Sequence, residues 1–231
     1  MTMRKVSALF KKDVKDTLKN GNFILLAALP LVFTALYRFM NFDGMHMDAS
    51  FVLTLGVLMA LTLVPISTTS MMIAEEKEKN TLRTLMLSNV SAGEFLLSKT
   101  LVVFLFMQVV CILIYFITGM PIAGLPRFVL VTSFSSINMI LFGALIGILS
   151  RNQMSTGMMS APFALLMLMP AVFAQISDTF RTIAQFIPSY AMVQLITEPQ
   201  AGMLVPSLVI VAWTILAAIL FFLAYQKKRL D

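Results

Sequence analysis

The chain has 231 residues, of which 59% are hydrophobic and 12% charged, about half the charged share of a soluble domain. Its net charge of +6 sits in short clusters that flank apolar runs, the pattern of cytoplasmic membrane flanks rather than of a basic-aromatic nucleic-acid surface. The single cysteine, Cys111, lies inside an apolar run, which excludes an internal disulfide and a cysteine metal cluster.

Residues 2–19 place Met3, Val6, Phe10, Val14 and Leu18 at helical spacing, with Arg4, Lys5, Lys11, Lys12, Lys15 and Lys19 filling much of the rest. This predicts an amphipathic helix on the inner membrane surface, stopped at Gly21. Six apolar runs follow, at about 22–40, 51–73, 99–120, 128–150, 157–176 and 203–225. Each is near the ~20 residues a helix needs to cross the hydrocarbon core. The first lacks a small-residue cleavage site and is followed by further spans, so it is read as a retained span and not a signal peptide. With the N-terminus inside, 14 of the 17 Lys and Arg fall on cytoplasmic segments, and only Arg38, Arg127 and Arg181 fall outside. That asymmetry puts both termini in the cytoplasm. The fold expected is therefore an all-α integral membrane domain over 1–231, with one interfacial helix and six spans.

Two polar segments are longer than turns. The outer one, 177–202, carries Phe180, Ile183, Ala184, Phe186, Ile187 and Pro188, too apolar for a solvated loop. It predicts a re-entrant or surface-lying helical segment, whose broken backbone must be buried in protein or face water. In the inner one, 75–99, the second span helix runs on through Glu75–Lys79, and Asn80 ends it by tolerating a left-handed conformation. Thr81–Leu87 then forms a short helix with Leu82, Leu85 and Met86 on one face. Ser91 and Glu94 form a capping box that opens the next helix in the cytosol. A Leu/Met stripe exposed beneath a membrane fits docking to a cytosolic partner better than an ordinary loop.

The run from Ala74-Glu-Glu-Lys-Glu-Lys-Asn-Thr-Leu-Arg-Thr-Leu85 to Val90-Ser-Ala-Gly-Glu-Phe-Leu-Leu-Ser-Lys99 resembles the type-2 ABC exporter permeases. So does the order of parts along essentially the whole chain: interfacial helix, six spans, a coupling helix after the second span, and a helical outer segment between the fifth and sixth. Where that family usually has Gly before the Thr-Leu pair, this chain has Asn80, which accepts the same backbone conformation. The resemblance implies that Glu75 and Glu76 end the second helix near a separate ATP-binding-cassette ATPase. Thr81, Leu82, Leu85 and Met86 would dock in a groove of it, and Lys99 would sit at the inner interface of the third span. It also implies a second permease subunit, identical or related, in a cell membrane. ATP and Mg would be bound by the partner and no cofactor by this chain. The cargo would be amphipathic, with peptide favoured over lipid or drug.

Other chemistries fit less well. Gly93-Glu-Phe-Leu-Leu-Ser-Lys-Thr100 is one substitution from a phosphate-binding loop, but no strand precedes it and its middle is bulky. The spans hold essentially no ionisable side chains between their ends, unlike those of ion-coupled carriers. With His46 as the lone histidine and no HExxH, no catalytic residues are assigned and an enzyme is not expected. Met40, Met45, His46 and Met47 offer soft ligands that would suit Cu(I), yet Met also fills adaptable helix contacts, so no metal site is assigned. Thr54, Leu58, Thr62, Pro65 and Thr69 share one face of the second span, and Thr156, Ser160, Phe163, Met167 and Pro170 one face of the fifth. These faces either line a pathway or pack as seams. Gly143-Ala-Leu-Ile-Gly147 is read as a packing seam, and Gln108 and Asn138 as interhelical hydrogen-bond partners, with each other the pairing considered. A membrane assembly factor or sensor without transport, and a copper-related ABC permease, remain the alternatives.

Overall fold

The computed structural model describes residues 3–40, 48–87, 90–174, 177–197 and 202–230, and among them it is helical throughout, without strands. The elements are α1 (Met3–Lys19), α2 (Gly21–Phe39), α3 (Ala49–Glu78), α4 (Thr81–Leu87), α5 (Ala92–Thr118), α6 (Leu125–Leu149), α7 (Gln153–Phe173), α8 (Asp178–Ala184), α9 (Pro188–Thr197) and α10 (Leu204–Leu230). A 3-10 turn, Ile122–Gly124, leads into α6. Six helices, α2, α3, α5, α6, α7 and α10, are long and apolar enough to cross a membrane. At 30 residues, α3 is about 45 Å long against a hydrocarbon core of about 30 Å, so its last turns stand clear of the membrane.

Local chemistry sets the helix ends. Asn20 breaks the chain between α1 and α2 and caps α2, its side-chain oxygen accepting from the amides of Asn22 and Phe23. The break therefore falls at Asn20 and not Gly21, which is the first residue of α2. An asparagine oxygen can satisfy orphan amides that glycine would leave bare. Asn80 has φ +57°, the only positive φ outside glycine among the described residues, and turns α3 into α4. Ser91 and Glu94 form the full capping box: the Glu94 amide donates to Ser91 Oγ at 3.2 Å and the Ser91 amide to Glu94 Oε2 at 3.0 Å.

The helices α3 and α6 form the centre, each two-thirds buried, while α2 and α10 lie at the periphery with 17% of their spans buried. At the α3–α6 crossing a Cβ on Gly143 would stand 2.7 Å from the Ile66 carbonyl oxygen, and one on Gly147 2.8 Å from that of Ser70. Only glycine admits that approach, so Gly143–Gly147 is the seam its spacing suggests. Gln108 and Asn138 do not meet. Gln108 bonds the hydroxyls of Ser136 and Thr132 on α6, and Asn138 donates to Thr214 Oγ1 and the Ile210 carbonyl on α10. The register of α5 on α6 sets Gln108 beside the hydroxyl row, and Asn138, on another face of α6, turns to α10.

On α1 the buried residues are Leu9, Asp13 and Thr17, while Phe10 and Val14 are half-buried and Leu18 is exposed. The side chains of Met3 and Val6 lie outside the described residues. Within residues 177–197 the chain forms two short helices. Of these, α9 is enclosed by α3, α6, α7 and α10, and α8 leaves Phe180 and Ile183 exposed. The Trp213 indole N–H on α10 donates to the Phe186 carbonyl at 2.8 Å, and Ser189 Oγ on α9 donates to the Met167 carbonyl on α7.

Candidate functional site

Successive residues of a helix point about 100° apart, so the end of α3 can aim neighbouring charges at different helices. Glu76 carries the densest set of contacts. Its Oε1 accepts from Lys99 Nζ of α5 at 2.9 Å and from Lys12 Nζ of α1 at 2.6 Å. Its Oε2 accepts from the Thr81 hydroxyl at the first residue of α4, which also donates to the Glu76 carbonyl at 3.0 Å. Lys77 donates to the carbonyls of Ile148 and Ser150 at the end of α6, where a cation meets the negative end of the helix dipole. Glu78 Oε2 accepts from the Gln153 amide at the start of α7 at 3.3 Å. Glu75 pairs with Lys79 one turn on, at the surface. Three residues, 76–78, thus join α3 to α1, α4, α5, α6 and α7.

Lys99 is 2% exposed and is held by two carboxylates, Glu76 and, at 2.6 Å, Asp13 of α1, which is also 2% exposed. A buried ammonium needs such partners, because desolvation without them costs several kcal/mol per ion, order of magnitude ~5. Burial pushes the Asp13 carboxyl above its ordinary value, with Lys99 pulling the other way. Burial draws the Lys12 ammonium down, but the Glu76 carboxylate more than offsets it and leaves it above its ordinary value. Lys99 draws Asp13 inward, and Leu9 and Thr17, one turn away on either side, share its buried face of α1. Gly93–Thr100 lies entirely within α5, with Lys99 committed to this cluster, so the segment is a helix and not a phosphate-binding loop.

The short helix α4 is fastened at both ends. Thr81 ties its start to Glu76. At its other end the Val90 amide donates to the Leu85 carbonyl at 3.1 Å, and Tyr225 of α10 donates to the Val90 carbonyl at 3.4 Å. Leu85 is half-buried and packs on an apolar cluster that includes Ile73, Val90, Phe95 and Tyr225, while Leu87 is 78% exposed. The side chains of Leu82 and Met86 lie outside the described residues. Sequence reasoning did not single out Asp13, Lys12 or Leu87. The first two sit among the lysines of what reads as a solvated face, and Leu87 falls off the predicted stripe.

A cavity of about 400 Å³ opens between α1, α2 and α3 onto the joint itself, lined by Lys12, Asp13, Glu76 and Lys99 together with Asp16, Lys19, Leu26, Met72 and Lys79. At the opposite end of α3 a smaller apolar cavity of about 230 Å³ lies against α7 and α9, touching Thr54 and Leu58. Between the two, the hydroxyl faces are packed. Thr62 is fully buried and bonds the Leu58 carbonyl, and Thr69 is fully buried with an unpartnered hydroxyl. Ser160 and Met167 are buried on α7, and Phe163 stacks on Phe142 with ring centres 5.2 Å apart. Met45, His46 and Met47 lie outside the described residues, and Met40, at the end of α2, is exposed. Among the described residues no group of three His, Cys, Asp or Glu could hold a metal.

Six apolar helices, with the glycine-tight pair α3 and α6 at their centre, make this a multi-pass membrane protein. The model of the ABC-2 family transporter proteins matches residues 15–225, nearly the whole chain, and the chain belongs to that family. It is thus a membrane transport subunit of the ABC kind, a class that is generally not itself catalytic. No curated protein matches the chain significantly.

Proposed function

We propose that the chain is the permease subunit of an ATP-driven exporter, working with a separate ATP-binding-cassette ATPase and a second permease subunit, identical or related. The observation that carries this reading is the fastening of α4. It hangs beneath the bundle with Leu87 outward, yet every load on it reaches α3, α1 and α5 through Thr81 and Glu76, and α10 through Val90 and Tyr225. A free loop would absorb a push; a helix tied into buried ion pairs passes it on. Closure of the ATPase pair would thus tilt the cytoplasmic ends of the spans and change which end of α3 is open. The N-terminus faces the cytoplasm in this reading, with α1 on the inner membrane surface.

The cargo is amphipathic, with peptide favoured. The inner cavity supports this by setting charged Asp16, Lys19 and Lys79 beside apolar Leu26 and Met72, and the outer cavity is apolar. Thr54, Thr62, Thr69, Ser160, Phe163 and Met167 belong to the α3 and α7 faces that would separate as the pathway opens.

The test is co-purification of the intact chain from its native membrane, followed by ATP hydrolysis in vesicles. The intact chain should bring down an ATP-binding-cassette subunit. Leu87→Asp should lose it, and Lys99→Met should keep it while losing coupled transport. If no ATPase accompanies the intact chain, the exporter reading fails and a non-transporting assembly or sensor role replaces it.

A further inference from the structure

A third cavity, about 370 Å³ and almost wholly apolar, lies between α6 and α10 on the periphery of the bundle, away from α4 and from both cavities along α3. Its walls are Leu130 and Phe134 of α6 and Ser207, Ile210 and Val211 of α10, and Arg127 stands at its mouth. Leu130, Phe134 and Val211 are exposed, so the groove is open to the surrounding medium. From Pro126 to Phe134 it runs about 12 Å along α6, close to the depth of one hydrocarbon leaflet in a core of about 30 Å. In a membrane such a groove is filled by acyl chain.

What enters with the chain is decided at the mouth. The Arg127 guanidinium donates to the Leu195 carbonyl at 2.9 Å and pairs with no carboxylate among the described residues. The N-termini of both α6 and α10 open at this same end, each adding the positive end of its helix dipole. An arginine at the membrane edge with no carboxylate partner among the described residues calls for an anion, and guanidinium matches the oxygens of a phosphate. No described carboxylate lines the groove to receive a headgroup ammonium.

We propose that this groove binds one anionic phospholipid, an acyl chain between α6 and α10 and the phosphate on Arg127. The lipid belongs to the leaflet at the α6 and α10 N-termini, the outer one in the orientation given above. The site needs neither ATPase nor cargo, so it stands or falls separately from the exporter reading.

The chain contains its own probe. Trp213, the single tryptophan, lies one turn beyond Ile210 on α10 and packs on Phe142 of α6, next to the groove but outside its lining. The experiment reconstitutes the full chain in vesicles of phosphatidylcholine and phosphatidylglycerol, with bromine on the acyl chains of one lipid at a time, and follows quenching of Trp213 fluorescence. The expected result is a several-fold preference for phosphatidylglycerol that falls to none in Arg127→Gln and returns in Arg127→Lys. Equal quenching by both lipids in the intact chain overturns the proposal, as does a preference that survives Arg127→Gln. Disulfide-linked dimers of a Leu130→Cys chain in the membrane also overturn it, because the face would then be covered by a second copy.

Discussion

At residues 76–78, α3 reaches its neighbours with full charges on long side chains, whereas at residues 65–70 it meets α6 with backbone carbonyls laid against glycine. The first contact is strong but adjustable, since a lysine or glutamate can follow its partner over some distance by rotating its torsions. The second allows no adjustment, because no side chain stands between the two backbones. A transport subunit needs both: stiffness where the bundle must not shear, and, where force enters, strong links that hold on to their partners as the helices shift.

Lys99→Met is the most severe way to break that contrast. It leaves Asp13 buried without its cation and removes one of the two that hold Glu76, so the expected loss is about 3–5 kcal/mol, read by denaturant unfolding in detergent. Adding Asp13→Asn should recover part of it, and full additivity of the two losses would contradict a shared cluster. Gly143→Ala comes next. Its new methyl would overlap the Ile66 carbonyl, so α3 and α6 must separate, at about 1–3 kcal/mol, seen as a lowered Tm. Replacing Asn80 by Ala keeps every other contact but puts a Cβ-bearing residue without a helping side chain at φ +57°. The expected cost is about 1 kcal/mol, with Asn80→Gly near neutral by the same assay. Asn138→Leu is the smallest, about 0.6 kcal/mol, because hydrogen bonds between membrane helices add little beyond what the unfolded chain finds elsewhere. An Asn138 loss as large as that of Lys99→Met would mean that an ordinary interhelical hydrogen bond counts for as much as the charged joint.

The parts of the fold that sequence makes legible are those written in local chemistry. The six spans follow from apolar length, Asn80 from its tolerance of positive φ, and the Ser91–Glu94 box from its spacing of three. The joint is different. Glu76 meets Lys12 across 64 residues and Lys99 across 23, and Lys99 meets Asp13 across 86. Nothing in the run Glu75-Glu-Lys-Glu-Lys79 says which of its charges turns inward, since that depends on the rotation of α3 within the bundle. The same holds for α1, where Asp13 turns inward to meet a lysine of another helix. Gln108 and Asn138 read as polar residues seeking partners, and so they are. Their actual partners depend on helix register, which spacing alone does not encode.

The bare crossing at Gly143 and Gly147 also provides a fixed baseline for watching the molecule work. With nothing compressible between them, α3 and α6 behave as one plank. Spin labels placed one on each, at the Glu78 end of α3 and the Leu149 end of α6, should keep a constant separation through every nucleotide state. Distances from that pair to α2, α7 or α10 then become a map of which helices travel and which stay with the frame.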